Sequence, residues 1–163
     1  MIRLSKLADY AVVLVSHMAS DPGLRHSAAD LAKLTHIPLP TVSKILGALA
    51  RGGLLQSHRG LNGGFSLARA PQDVSVADVV NAVEGPIAVT HCLDHGQGDG
   101  ACEILATCRM AGYWQRINTA IDGALKGITF AEVSTPLPAE LTVPLTATPS
   151  AAAAGACHDG FGA

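Results

Sequence analysis

The stretch SAADLAKLTHIPLPTVSKILGALARGGLLQSHRGLNGGFSLARA, residues 27–70, decides the fold. Ser27 with Asp30 three residues on is a helix-opening pair, in which hydroxyl and carboxylate can occupy otherwise unpaired backbone N–H groups. The helix it opens, SAADLAKL, stops at THIPLP, where Pro38 and Pro40 bracket a turn and Pro40 suits a first helical position. In the next helix, TVSKILGALA, the spacing of Val42, Ile45, Leu46 and Leu49 makes one apolar face. Thr41, Ser43, Lys44 and Arg51 are left pointing outward, and Gly52-Gly53 ends the helix. LLQSH then reads as a strand, RGLNGG as a turn carrying the Asn62-Gly63 hairpin signal, and FSLA as the returning strand. Two short helices, a tight turn and a Gly-rich hairpin together predict a winged helix-turn-helix.

Outward from this unit the pattern stays helical. Leu4, Leu7, Ala8, Ala11, Leu14, Val15 and Met18 form one stripe, which predicts a helix over about Leu4 to Ala19. Asp9 lies nearly opposite that stripe, and Val13 beside it hints at a covered outer face. Downstream, Ser75 with Asp78 caps SVADVVNAVEG, which ends at Gly85-Pro86. IAVTHCLDHGQGDGACEILATC reads as a loop, and a long helix follows from about Met110 to Lys126. Its stripe of Trp114, Ile117, Ile121 and Leu125, with Ile128 beyond, is expected to bury against a second copy of the chain, giving a homodimer. The alternative is packing back onto its own domain. The fold class is therefore mainly α with a small β-hairpin wing, a winged helix-turn-helix plus a long dimerisation helix. Three regions follow: 1–70 for DNA binding, 71–134 for the Cys loop and dimerisation, and 135–163 as a flexible Pro/Ala-rich tail.

Composition narrows the function. The chain has 163 residues, 48% hydrophobic and 15% charged, which allows a packed core in about one domain and excludes wholesale disorder. Aromatics at 4% argue against a nucleic-acid binder built on stacking platforms. No apolar run approaches the ~20 residues of a membrane span. The N-terminal MIRLSKLADYAVVLVSHMA carries Asp9 and His17 with no convincing cleavage site, so a cytoplasmic protein without membrane partners is expected. Residues 1–70 hold eight Lys and Arg against three acids, and residues 71–163 hold three against ten. A basic half joined to an acidic half suggests that the first meets a polyanion. No nucleophile elbow, P-loop or carboxylate pair stands out, so neither an enzyme nor a small-molecule substrate is expected.

Two constellations carry chemistry. Thr41, Ser43 and Lys44 can bond phosphates or base edges. Arg59 suits a narrow minor groove, while Gly60, Gly63 and Gly64 let backbone approach phosphates. The bland reading is the solvated side of an amphipathic helix, and the Gly-rich hairpin tips the balance to DNA. The second constellation is Cys92, Cys102 and Cys108. Clustered thiols in a protein with no export signal hold metals or sense oxidants more often than they form disulfides. Thiolates are the ligands iron–sulfur clusters prefer, and the spacing is not that of a Cys-x-x-Cys zinc ribbon. Three thiolates are one ligand short, leaving His91, Asp94, His95 or a distant residue as the fourth. Cys157 and His158 in the tail read as incidental.

The segments RLSKLADYAV, IPLPTVSKIL, SHRG with NGGFSLAR, SVADVVNAVEGP, the three Cys and WQRIN make the chain, over about residues 1–134, similar to the Rrf2 family of bacterial winged-helix regulators. Their wording resembles most the subgroup that regulates the SUF pathway of iron–sulfur cluster assembly. The resemblance implies a homodimeric repressor that binds a palindromic double-stranded operator through the third helix and the wing. It implies an iron–sulfur cluster on Cys92, Cys102 and Cys108. Some members take a fourth ligand from a His three residues after the last Cys, where this chain has Ala111. Others use an Asp in helix one of the partner subunit, which corresponds to Asp9 here. The first type goes with 2Fe–2S and the second with 4Fe–4S, and both cluster types stay open. Readings of another class are a small cluster-bearing redox protein and a zinc- or thiol-based sensor on the same fold.

Overall fold

The computed structural model describes residues 3–60, 63–93, 102, 104 and 107–135. Helix α1 runs Lys6–Ser20, and the Ser5 side chain caps it by accepting from the N–H groups of Leu7 and Ala8. Its buried row is Ala8, Ala11, Leu14, Val15, Met18 and Ala19, which holds most of the expected stripe, but Leu7 is only half-buried and Leu4 lies exposed ahead of the helix. Val13 is half-buried against the same core, so its place beside Asp9 requires no external cover. Helix α2 is Ala28–Thr35, with Ser27 accepting from the Asp30 N–H at 3.1 Å. His36 follows in the left-handed region at φ 57° and turns the chain.

Helix α3 is Leu39–Arg51, two residues longer at its start than the pattern predicts. Pro38 precedes the first turn and Pro40 is its second residue rather than its first, because the Thr41 and Val42 N–H groups both donate to the Pro38 carbonyl, at 2.9 and 3.1 Å. Val42, Ile45, Leu46 and Leu49 are buried as their spacing requires. Gly47 interrupts this helix, and a Cβ there would meet only Arg51 Nη1, at an ordinary 3.5 Å. Gly47→Ala is therefore expected to stabilise the protein by about 0.5–1 kcal/mol through helix propensity, read as a higher midpoint in urea or thermal unfolding.

Strands β1 (Leu55–His58) and β2 (Gly64–Leu67) pair antiparallel, with Leu55 opposite Leu67 and His58 opposite Gly64. His58 Nε2 and Ser66 Oγ lie 2.9 Å apart across the pair. A third element joins the wing: His26 and Phe65 exchange both backbone hydrogen bonds at 2.9 Å, forming an isolated bridge. This ties the wing to the entrance of α2. Asn62, half of the expected hairpin signal, lies outside the described residues.

Helix α4, Val76–Glu84, starts at a complete capping box of Ser75 and Asp78. Burial pushes the Asp78 carboxyl up, but bonds from the Ser75 N–H and hydroxyl, with the charges of Arg69 and Lys126, outweigh this and hold it below its ordinary value. Helix α5 is Ala111–Lys126, and none of its residues is fully buried. Trp114, Ile121 and Leu125 are half-buried, whereas Met110, Tyr113 and Ile117 are exposed, Tyr113 by 58%. Of the long stripe, Leu125 packs against the chain's own core, while Ile117 and Ile128 are open to solvent.

A short helix α6, Phe130–Val133, ends the described chain and was not foreseen from periodicity. The Val76 N–H donates to the Ile128 carbonyl at 3.0 Å, and the Phe130 N–H to the Val74 carbonyl at 2.9 Å. These bonds lay Phe130 into the core beside α1, where it is fully buried. Residues 136–163, including Cys157 and His158, lie outside the description. Among the described residues no helix is long and apolar enough to cross a membrane.

Candidate nucleic-acid interface and cysteine loop

The outward side of α3 is where the sequence pattern puts it. Ser43 and Lys44 are exposed, and Thr41 is half-buried. At about 100° per residue, Lys44 is central, Ser43 lies to one side and Thr41 to the other. Arg59 and Gly60 are exposed just past β1. Gly60 has φ 107° with open space around it, so the turn needs a glycine while backbone approach from outside stays free. Gly63 and Gly64 answer to a different constraint. A Cβ on Gly63 would stand 2.6 Å from the His58 carbonyl oxygen, and one on Gly64 2.7 Å from that of His26. Both are half-buried and permit the wing to close on itself and on the His26 bridge. His26 has a buried Nε2 with no hydrogen-bond partner among the described residues.

The cysteine region starts from a segment strapped to two helices. The Ile87 N–H donates to Asn81 Oδ1 of α4 at 3.1 Å. Asn118 of α5 accepts from the Val89 N–H at 3.0 Å and donates through Nδ2 to the Ile87 carbonyl at 2.9 Å. Three residues on, Cys92 sits in a single 3-10 turn, His91–Leu93, with Thr90 Oγ1 3.2 Å from its Sγ. Cys108 lies just ahead of α5, and its carbonyl accepts from the Ala111 N–H at 3.4 Å. Cys92, Cys102 and Cys108 are all half-buried free thiols. Asp94 and His95 fall outside the described residues, and His91 is exposed. Asp9 is exposed in the first turn of α1.

Three partly accessible thiols flanking one loop are donors of the right kind for an iron–sulfur cluster. They are not gathered: among the described residues no three His, Cys, Asp or Glu side chains come close enough to hold a metal ion. The donor set fits by chemistry, and residues 94–101 between Cys92 and Cys102 lie outside the description.

The family described as Rrf2, iron-dependent transcriptional regulator, matches residues 4–136 of this sequence. The chain belongs to the Rrf2 family. A Mycobacterium tuberculosis (strain H37Rv) protein, assigned by name to the HTH-type transcriptional regulators, is 32% identical over 134 residues, covering 82% of this chain and 81% of its own. The HTH-type transcriptional regulator IscR of Escherichia coli is 28% identical, covering 81% of this chain and 80% of its own. Among solved structures, that of CymR, the global cysteine regulator of B. subtilis, superposes with a TM-score of 0.64 at 22% identity. It covers 82% of this chain and 97% of its own and has the same fold. This Rrf2 chain is accordingly a DNA-binding transcriptional regulator with a winged-helix fold, and its relatives are regulators rather than enzymes.

Asn81 and Asn118 were not singled out from sequence, since isolated Asn residues inside helices give no signal of what they hold. Gly52, marked in the sequence only as part of the helix stop, has a further role at the end of α3. A Cβ there would stand 2.8 Å from that of Ala82, so the C-terminal end of α3 abuts α4 directly. The cysteine segment, α4 and α3 of this Rrf2 protein therefore form one packed series.

Proposed function

We propose that this protein is a homodimeric repressor whose affinity for operator DNA is set by an iron–sulfur cluster, and that it controls genes of iron–sulfur cluster assembly of the SUF type. The observation that carries the reading is the packed series itself. Cys92, the first of three free thiols, follows directly on a segment strapped by Asn81 and Asn118 to α4 and α5, and α4 abuts the helix that would read DNA. The family description, iron-dependent transcriptional regulator, supports it.

In this reading Cys92, Cys102 and Cys108 hold the cluster, of 2Fe–2S or 4Fe–4S type, and Asp9 from a second copy supplies the fourth ligand. A bound cluster supplies sensitivity to oxidants, nitric oxide and iron supply. The chain's own residues do the rest. Asn118 fixes the approach to Cys92 against α5, and Asn81 fixes it against α4. A change in the loop reaches α3 through the Gly52–Ala82 contact. It acts as a switch only to the extent that the two states differ in DNA affinity. The exposed Tyr113 and Ile117 on α5, with Met110 just ahead of it, form the dimer face. Two such units place two third helices on half-sites about one helical turn apart.

Thr41, Ser43 and Lys44 then contact base edges and phosphates, Arg59 enters the minor groove, and Gly60 with Gly63 and Gly64 shapes the wing that carries it. Arg59→Ala is expected to cost about 1–3 kcal/mol of operator affinity and to lower the salt dependence of binding. An unchanged affinity and an unchanged salt slope, measured by fluorescence anisotropy, would remove Arg59 from the interface.

A second reading has its own support. Among the described residues the thiols do not join into a three-donor metal site, and a direct thiol sensor of oxidants needs none. Anaerobic purification separates the two. A brown protein with iron and acid-labile sulfide in each chain supports the cluster, whereas a colourless protein, with or without zinc, overturns it.

A further inference from the structure

The tip of α3 is apolar where the helix would meet base edges. Its cap Pro38 and first residues Leu39 and Pro40 are all exposed, and Leu39 keeps 46% of its surface open. The tip is also poor in hydrogen-bonding capacity. Neither proline carries an N–H, the Pro38 side chain makes no cap, and the Thr41 and Val42 N–H groups are turned back onto the Pro38 carbonyl. Leu39 lies one turn before Ser43 and about 40° from it around the helix, so it continues the exposed edge that Ser43 and Lys44 form.

An exposed leucine is ordinary on most surfaces. Here it stands at the end of a recognition helix, the part that reaches base edges in the major groove. A leucine side chain cannot hydrogen-bond a base. What it can do is pack on the one apolar group that the major groove presents, the C5-methyl of thymine. We infer that Leu39 is a specificity-determining residue that reads a thymine methyl in each operator half-site. This rests on the assignment of α3 to the major groove.

The distinguishing readout is replacement of single thymines by uracil, which deletes that methyl and leaves base pairing and hydrogen-bonding edges intact. The full-length protein is first used to enrich its preferred sequence from a random duplex library. Each thymine of the enriched site is then replaced in turn, and affinities are compared for the unmodified protein, Leu39→Ala and Thr41→Ser. One thymine per half-site should lose about fourfold in affinity on replacement with the unmodified protein, the value of one buried methyl group. With Leu39→Ala that loss should shrink to less than about 1.5-fold, and with Thr41→Ser it should persist, the remaining loss reporting the methyl contact alone. Because Leu39 is exposed, the variant's melting temperature should stay within a few degrees of the unmodified protein's. The inference fails if no thymine shows a uracil penalty that Leu39→Ala removes, or if the penalty disappears with Thr41→Ser instead. Failure to enrich any sequence at all would overturn the groove assignment together with this inference.

Discussion

Replacing any one of Cys92, Cys102 and Cys108 by Ala should strip the anaerobically purified protein of its visible absorption and most of its iron. Cys157→Ala should leave both in place. Each of the three thiols supplies one bond of a set already short of four, and a carboxylate is a weaker partner for an iron–sulfur cluster than a thiolate. Asp9→Ala should consequently retain some colour but lose it faster in air. Absorption spectra with iron and sulfide analysis on the five proteins check this. Full colour in any of the three Cys→Ala variants would remove that residue from the site. A Cys157 variant without colour would place the site in the tail. An Asp9 variant as oxygen-stable as the unmodified protein would leave the fourth position to His91, His95 or solvent.

The second large effect is structural. Phe130→Ala should destabilise the protein by about 3–5 kcal/mol, the cost of emptying a fully buried aromatic site. Phe130 is the side chain that α6 lays beside α1, and its N–H bond to the Val74 carbonyl fastens the end of α5 to the start of α4. Urea unfolding followed by far-UV circular dichroism measures the loss. A change below about 1 kcal/mol would mean that the segment after α5 contributes little to the core.

Legibility in the sequence followed the length scale of each signal. The α1 stripe and the α4 capping box are local patterns, and Leu14, Met18, Ser75 and Asp78 occupy the places those patterns assign. The hairpin was readable from its turn residues. Helix α6 was missed although Thr129 and Glu132 form the same kind of capping box, because four residues are too few to show a period. The bridge between His26 and Phe65 was not readable at all. It spans 39 positions, and nothing in either residue marks the pairing. The start of α3 was misplaced because Pro40 satisfies the rule for a first helical residue and still fits one position further in.

The candidate site divides in the same way. Ser43 and Lys44 are exposed where an amphipathic reading puts them, and Arg59 is exposed at the wing where the hairpin signal puts it. Gly63 and Gly64 were recognisable as special, but the reason lies in carbonyl oxygens of His58 and His26 that no spacing reveals. The thiols were legible as a set, whereas spacing alone does not tell that, among the described residues, they do not gather into a three-donor metal site. The strap through Asn118 joins residues 29 and 31 positions apart, beyond any motif.

If the cysteine loop sets DNA affinity, one anaerobic preparation titrated with one enriched operator duplex at fixed salt, before and after its iron is removed by chelation, should give two dissociation constants that differ by about 5–150-fold, equivalent to a coupling of ~1–3 kcal/mol. Identical affinities for the brown and the colourless protein would contradict it.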